Sequence, residues 1–217
     1  MVCCGQIICS GCIHAMDSRE GGVGLCPFCR TVPLEDKEFM ERYEKRVELG
    51  DAHAIYDVGG FTDDGVNGFP QNHAKALELW HRAGELGNAS AYWNISCRYT
   101  RGGYLLERDM KKATHYWELA AMLGHVTARH ELGCFEAWLG NMDRSLRGWD
   151  RALRHFTIAA GHGYSKSLEE IKKLYTDGIA RKEVYTKALT LYQTYLDEVK
   201  SAQRDKAAAY SEYCKYH

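Results

Sequence analysis

The chain has 217 residues, enough to bury roughly 70% of its unfolded surface in one stacked array with a small appendage. Its 28 lysines and arginines nearly balance its 29 aspartates and glutamates, so no concentrated basic surface indicates a nucleic-acid partner. No apolar run approaches the ~18 residues that a transmembrane helix needs, and we predict no membrane span.

The first 35 residues are rich in cysteine. Six of the nine cysteines form one adjacent pair and two CxxC pairs: Cys3, Cys4, Cys9, Cys12, Cys26 and Cys29. Each CxxC pair has the spacing with which a tight turn presents two thiolates to zinc. Clustered thiolates beside isolated cysteines favour a metal site in a reducing compartment over a disulfide framework. We therefore predict zinc as a cofactor, and a cytoplasmic or nuclear location, since the N-terminus lacks a signal-peptide pattern.

The arrangement of these cysteines resembles a RING finger, whose eight ligands bind two zinc ions in a cross-brace. The resemblance makes all six cysteines ligands, with the adjacent pair and the second CxxC pair sharing one complete site. The other site has only the first CxxC pair, because the first two RING ligands are missing, and upstream sequence or His14 would have to complete it. Gln6 also stands where the common RING has a histidine. We expect a RING-like zinc finger over residues 1–35 that lacks its first ligand pair.

The same resemblance implies a surface for a ubiquitin-conjugating enzyme. The matching residues are Ile13, Pro27 and Arg30. Arg30 directly follows the last cysteine, where active ligases often carry an arginine that bridges ubiquitin and the conjugating enzyme. A planar guanidinium suits such bridging. The alternative is that Arg30 is a solvated residue after a zinc knuckle.

Residues 36–50 are predicted to form a connecting helix. Asp36 is suited to cap a helix that runs from Lys37 to about Leu49. Phe39 and Tyr43 begin the same spacing of apolar residues that recurs further along the chain.

One sequence pattern, here called the phrase, then occurs four times. Aligned on an alanine, the copies start at 36- to 39-residue intervals, at Ala76, Ala113, Ala152 and Ala188. Four residues after each alanine stands an aromatic side chain: Trp80, Trp117, Phe156 and Tyr192. Seven residues after it, three copies have a second alanine: Ala83, Ala120 and Ala159. These offsets lie on one face of a helix.

Glycines separate the predicted helices. Three copies end in a glycine that predicts a chain reversal, at Gly87, Gly124 and Gly163. Small and aliphatic residues follow four and eight residues later, as Ala91 and Ile95 follow Gly87. A glycine also follows the first helix of three units, at Gly65, Gly102 and Gly178. Leu139 stands there in the remaining unit, and we predict a longer turn over residues 139–149.

The spacing predicts an all-α fold, an α/α helical-hairpin solenoid, because two helices and two turns account for each unit. The pattern resembles Sel-one-like repeats, short relatives of tetratricopeptide repeats, over residues 37–200. The matching elements are Gly-Asn-Ala-Ser-Ala at 87–91 and Lys-Ala-x3-Trp-x2-Ala at 75–83. We predict about four units over residues 51–200 and a capping helix over 201–217, because a solenoid needs a sealed end.

The resemblance implies that the array binds peptides or partner proteins. We predict groove residues on the first helices of the second and third units: Asn94, Arg98, Arg129 and His130. A solvated helix face is the alternative for each. No catalytic arrangement is recognisable in the array. Cys97 and Cys134 occupy equivalent helix positions and are predicted to be core thiols rather than hydrolase nucleophiles.

These features favour a zinc-binding protein–protein interaction scaffold. The RING resemblance implies a ubiquitin ligase or a ligase adaptor that holds its substrate with the repeats. The alternative is a non-enzymatic repeat adaptor whose zinc finger is vestigial.

Overall fold

The computed structural model describes residues 36–103, 106–143, 146–200 and 209. In these ranges the chain forms nine α-helices and no β-strand. The helices are α1 Asp36–Glu48, α2 Ala52–Asp64, α3 His73–Glu85, α4 Ala89–Arg101, α5 Met110–Met122, α6 Val126–Asp143, α7 Leu146–Gly161, α8 Ser165–Thr176 and α9 Lys182–Val199. The predicted all-α fold of helical hairpins is confirmed. None of these helices is long and apolar enough to cross a membrane.

The described helices fall into two compact units. One contains the described residues up to Tyr116, and the other those from Trp117 to Lys200. In the first unit the core includes Tyr43, Ile55, Leu79, Trp80 and Ile95. In the second unit it includes Leu153, Phe156, Ile171, Leu174 and Ala188.

The chain reverses at the predicted glycines through one hydrogen-bond pattern. The Gly87 N–H donates to the Gly84 carbonyl at 2.9 Å, and the Asn88 N–H donates to the Ala83 carbonyl at 2.9 Å. This pair of bonds is a Schellman motif, which favours glycine because the residue adopts a positive φ, 93° at Gly87. The pattern recurs at Gly124 and Gly163.

The repeated alanines lie where helices approach each other. All four alanines that start the phrase are fully buried: Ala76, Ala113, Ala152 and Ala188. Their methyl groups leave room for a neighbouring helix backbone, and the aromatic residue four positions later fills the space beside it. Trp80, Trp117 and Phe156 are buried, whereas Tyr192 of the last copy is half-buried.

Glycines on the first helix of two hairpins receive these aromatic rings. A Cβ added to Gly59 of α2 would lie 2.6 Å from two atoms of the Trp80 indole on α3. A Cβ added to Gly133 of α6 would lie 2.6 Å from two atoms of the Phe156 ring on α7. The indole N–H of Trp80 also donates to the Tyr56 carbonyl at 3.3 Å. Each ring therefore packs directly on the backbone of the helix before it.

The predicted turn over residues 139–149 is wrong for most of its length. Helix α6 continues through Leu139 to Asp143, and α7 begins at Leu146. Leu139 lacks the conformational freedom with which glycine ends the other first helices. The extension packs closely on α7, because a Cβ added to Gly148 would lie 2.6 Å from the Gly140 Cα.

Candidate protein-binding site

The predicted zinc ligands and conjugating-enzyme contacts lie outside the described residues. They are Cys3, Cys4, Cys9, Cys12, Cys26, Cys29, Ile13, Pro27 and Arg30. Within the described ranges, no group of three or more histidine, cysteine, aspartate or glutamate side chains is placed to hold a metal ion.

Arg98 is held by partners on two other helices. Its guanidinium forms an ion pair with Asp63, the buried penultimate residue of α2. One face of the guanidinium lies over the indole of Trp80 on α3, 5.6 Å from the ring centroid. The side chain of Arg98 is still 38% exposed, so the group is both fixed in position and accessible.

Asp63 is the centre of this cluster. Its second carboxylate oxygen lies 2.8 Å from Nδ1 of His73, in the first turn of α3. A buried carboxylate is costly unless it is paired and hydrogen-bonded, and Arg98 and His73 supply both kinds of partner. The backbone carbonyl of Asp63 also accepts a hydrogen bond from Gln71 at 3.1 Å. The cluster thus links the end of one repeat helix to the start of the next.

A cavity of about 140 Å³ opens at this cluster. The described residues that line it are Asp63, His73, Leu77, Arg98, Gly102, Gly103 and Leu106. Two turns shape it: the Asn72 N–H donates to the Thr62 carbonyl at 2.7 Å, and the Asp109 N–H donates to the Tyr99 carbonyl at 2.9 Å. Its described lining combines the charged or polar side chains of Asp63, His73 and Arg98 with the apolar side chains of Leu77 and Leu106.

Asn94 lies one turn before Arg98 on α4, so the two side chains share a helix face. Burial raises the pKa of the Tyr56 hydroxyl on α2; the Asn94 side chain lowers it, and the Asp57 carboxylate raises it. Asn94 and Arg98 are therefore brought together in the first unit, and both side chains interact with α2.

Arg129 and His130 lie in the second unit. The Arg129 guanidinium donates to the Ala121 carbonyl in the last turn of α5. His130 is buried, with Nδ1 2.9 Å from the Ser167 hydroxyl oxygen and Nε2 3.5 Å from the Cys134 sulfur. That Asn94, Arg98, Arg129 and His130 bind a partner stays a prediction.

Cys134 lacks the properties of a nucleophile. Burial, together with the carboxylates of Glu131 and Glu170, raises the pKa of its thiol to about 12. A thiol attacks as the thiolate, so at neutral pH almost none of Cys134 is in the reactive form. This supports the interpretation of Cys134 as a structural thiol.

The roles of Asp63 and Trp80 beside Arg98 were not predicted from the sequence. Residues 62–71 look like a glycine-rich turn, yet Thr62 and Asp63 are buried in α2. The sequence did contain a signal for this cluster. Asp63 lies in the last turn of a helix, where an acidic residue meets the negative end of the helix dipole. Such a residue is tolerated best when a cation lies nearby.

The sequence matches the Sel1 repeat family over residues 52–88 and 89–125. No curated protein matches it. A Sel1 repeat protein from Oxalobacter formigenes has a similar structure, with 26% identity, coverage of 74% of this chain and 64% of that one, and a TM-score of 0.59. A protective antigen of uropathogenic Escherichia coli with an SLR fold has 22% identity, coverage of 82% and 41%, and a TM-score of 0.50.

The chain spans less than two thirds of each of these solved proteins. The two matched segments coincide with the α2–α3 and α4–α5 hairpins. Residues 52–125 therefore match two Sel1 repeats, and the chain has the helical-hairpin solenoid fold that is also found in Sel1 repeat proteins.

Proposed function

We propose that this chain is a protein-interaction scaffold whose first two Sel1 repeats bind a peptide segment of a partner at the Arg98 cavity. The observation that carries the proposal is the position of Arg98. Asp63 and Trp80 hold its guanidinium in place, while 38% of the side chain stays exposed beside the cavity. Arginines that are pre-ordered in this way lose little entropy on binding and are frequent in binding hot spots.

A peptide selection on the full chain tests this proposal. A displayed library of random peptides is selected for binding, and dissociation constants of the enriched peptides are then measured for Arg98→Ala and Arg101→Ala. Arg101 ends the same helix but is exposed and does not line the cavity. We expect Arg98→Ala to weaken binding by about tenfold or more, the cost of a modest hot spot, and Arg101→Ala to change it little. Equal dissociation constants for the two variants, or no enriched peptide, would remove the proposal.

The second part of the proposal is that residues 1–35 bind zinc through Cys3, Cys4, Cys26 and Cys29. The CxxC spacing and the resemblance to a RING finger support it. We expect about one zinc ion per chain, because structural zinc takes four protein ligands and the remaining pair supplies only two. Metal analysis should show that Cys26→Ser loses this zinc, while Cys97→Ser, in the repeat array, keeps it. Zinc content that does not depend on Cys26 would contradict the site.

A ubiquitin ligase activity is the specific function that Arg30 favours. Self-ubiquitination with a panel of ubiquitin-conjugating enzymes would be lost in Cys26→Ser and strongly reduced in Arg30→Ala. If no conjugating enzyme supports activity, the alternative of a non-enzymatic adaptor with a vestigial finger is favoured. The binding experiment on Arg98 gives its result in either case.

A further inference from the structure

We propose that His130 and Ser167 form an acid-sensitive joint that holds α8 against α6 at neutral pH and loosens as the pH falls towards 5.5. The proposal concerns contacts within the second unit only. It goes beyond the proposed function, because it assigns a conformational response to a part of the array that does not line the Arg98 cavity.

The first observation is a matched pair of substitutions in the repeat pattern. One position lies six residues after the glycine that opens a unit, and the other lies four residues after the glycine that opens the next unit. The pairs at these two positions are Tyr56 with Ala91, Trp93 with Ala128, and His130 with Ser167. Two successive units therefore combine an aromatic residue with an alanine, whereas the third combines histidine with serine. The hydrogen bond between His130 and Ser167, at 2.9 Å, shows that the two polar residues meet across the repeats.

The second observation is the environment of the imidazole. His130 is only 8% exposed and lies between two aromatic rings, with ring centroids 5.4 Å from Phe156 of α7 and 4.9 Å from Tyr164 before α8. Its two nitrogens face the Ser167 hydroxyl and the Cys134 thiol, both of which are neutral at physiological pH. Neither partner is a carboxylate that could balance a charged ring.

Burial lowers the pKa of the His130 imidazole, and the Lys166 ammonium on α8 lowers it further. Two carboxylates also lie in this region. Burial raises the pKa of Glu131 on α6 while Lys166 lowers it, and Glu170 on α8 raises the pKa of the Cys134 thiol. On α7, His155 has a pKa lowered by burial and by Arg129 and Arg151, so it too resists protonation.

The sign of the pH effect follows from these positions. When the joint opens, His130 meets water and regains its ordinary pKa near 6.5. Because its pKa is lower in the closed form, the open form binds more protons below about pH 6.5, and the closed form loses stability as the pH falls. The equilibrium constant for opening therefore rises by up to about tenfold between pH 7.5 and pH 5.5.

Hydrogen exchange resolved to single amides tests the joint. Opening equilibrium constants of the α8 amides are measured at pH 7.5 and 5.5, after correction for the intrinsic exchange rate, in the full chain and in His130→Asn. Asparagine can keep a hydrogen bond to Ser167 in place of Nδ1, but it does not titrate. His162→Asn removes an exposed histidine of the same unit and serves as the matched control.

We expect the opening constant to rise several-fold on acidification in the full chain and in His162→Asn, and to stay nearly constant in His130→Asn. The same rise in His130→Asn would assign the effect to His125 or His155 and overturn the proposal. If His130→Asn does not fold, a nuclear magnetic resonance titration of the unmodified chain decides the question. Amide shifts of α8 that follow the His130 titration support the joint, and a titration without such shifts overturns it.

Discussion

Replacing Asp63 with alanine is expected to lower the free energy of unfolding by about 2–3 kcal/mol. Breaking a buried ion pair costs roughly 3–5 kcal/mol, and the smaller figure applies here because Arg98 is 38% exposed and regains some hydration. The substitution also removes the acceptor that lies 2.8 Å from His73. Denaturant unfolding of the full chain, followed by the helical circular dichroism signal, measures the change.

Asp64→Ala is the matched control for this prediction. Asp64 is the next residue and ends α2, but its side chain is exposed. Its replacement should change the stability by no more than about 0.5 kcal/mol. The double variant Asp63→Ala with Arg98→Met should recover part of the loss, because it no longer leaves one charge without its partner. Equal effects of Asp63→Ala and Asp64→Ala would show that the ion pair does not hold the repeats.

Replacing Gly59 with alanine is expected to lower the free energy of unfolding by about 1–2 kcal/mol, although alanine is the better helix former. The new methyl group would lie 2.6 Å from the buried Trp80 ring, and such overpacking costs about 1–3 kcal/mol. The gain in helix propensity offsets up to ~1 kcal/mol of that cost. The measurement is again denaturant unfolding.

Gly60→Ala should have the opposite sign. Gly60 is the next residue of the same helix, and nothing lies within 4 Å of a Cβ placed on it. Its replacement should raise the stability by about 0.5–1 kcal/mol through helix propensity alone. If both variants are stabilised, then the Trp80 ring does not pack on Gly59 as described.

The hairpin architecture was predictable because packing restricts the residue type at certain positions, and those residue types recur across the repeats. A residue between two helix backbones must be small, a residue beside it must fill space, and a reversal with positive φ favours glycine. Ala76, Trp80 and Gly87 meet these three requirements, and their counterparts recur at constant offsets. The glycine nine residues after each opening glycine in two units, Gly59 and Gly133, carried a further signal of ring packing that was not recognised.

The candidate site was less predictable because its partners do not repeat. Asp63 and Arg98 are 35 positions apart, and periodicity reveals apolar faces rather than a single buried ion pair. The end of helix α6 was predicted wrongly for a related reason. Leu139 stands where the other units have a glycine, which indicates a difference but not whether the helix or the turn is longer. The cysteines of residues 1–35 depend on zinc chemistry rather than on helix packing, and their ligand roles stay a prediction.

The central claim is that the α2–α3 and α6–α7 hairpins close by packing an aromatic ring of the second helix on a glycine of the first. Nuclear Overhauser contacts measured on the full chain test this directly. The account predicts strong contacts between the Gly59 α protons and the Trp80 indole, and between the Gly133 α protons and the Phe156 ring. Absence of both contacts in a folded, helical sample would contradict the packing on which the account rests.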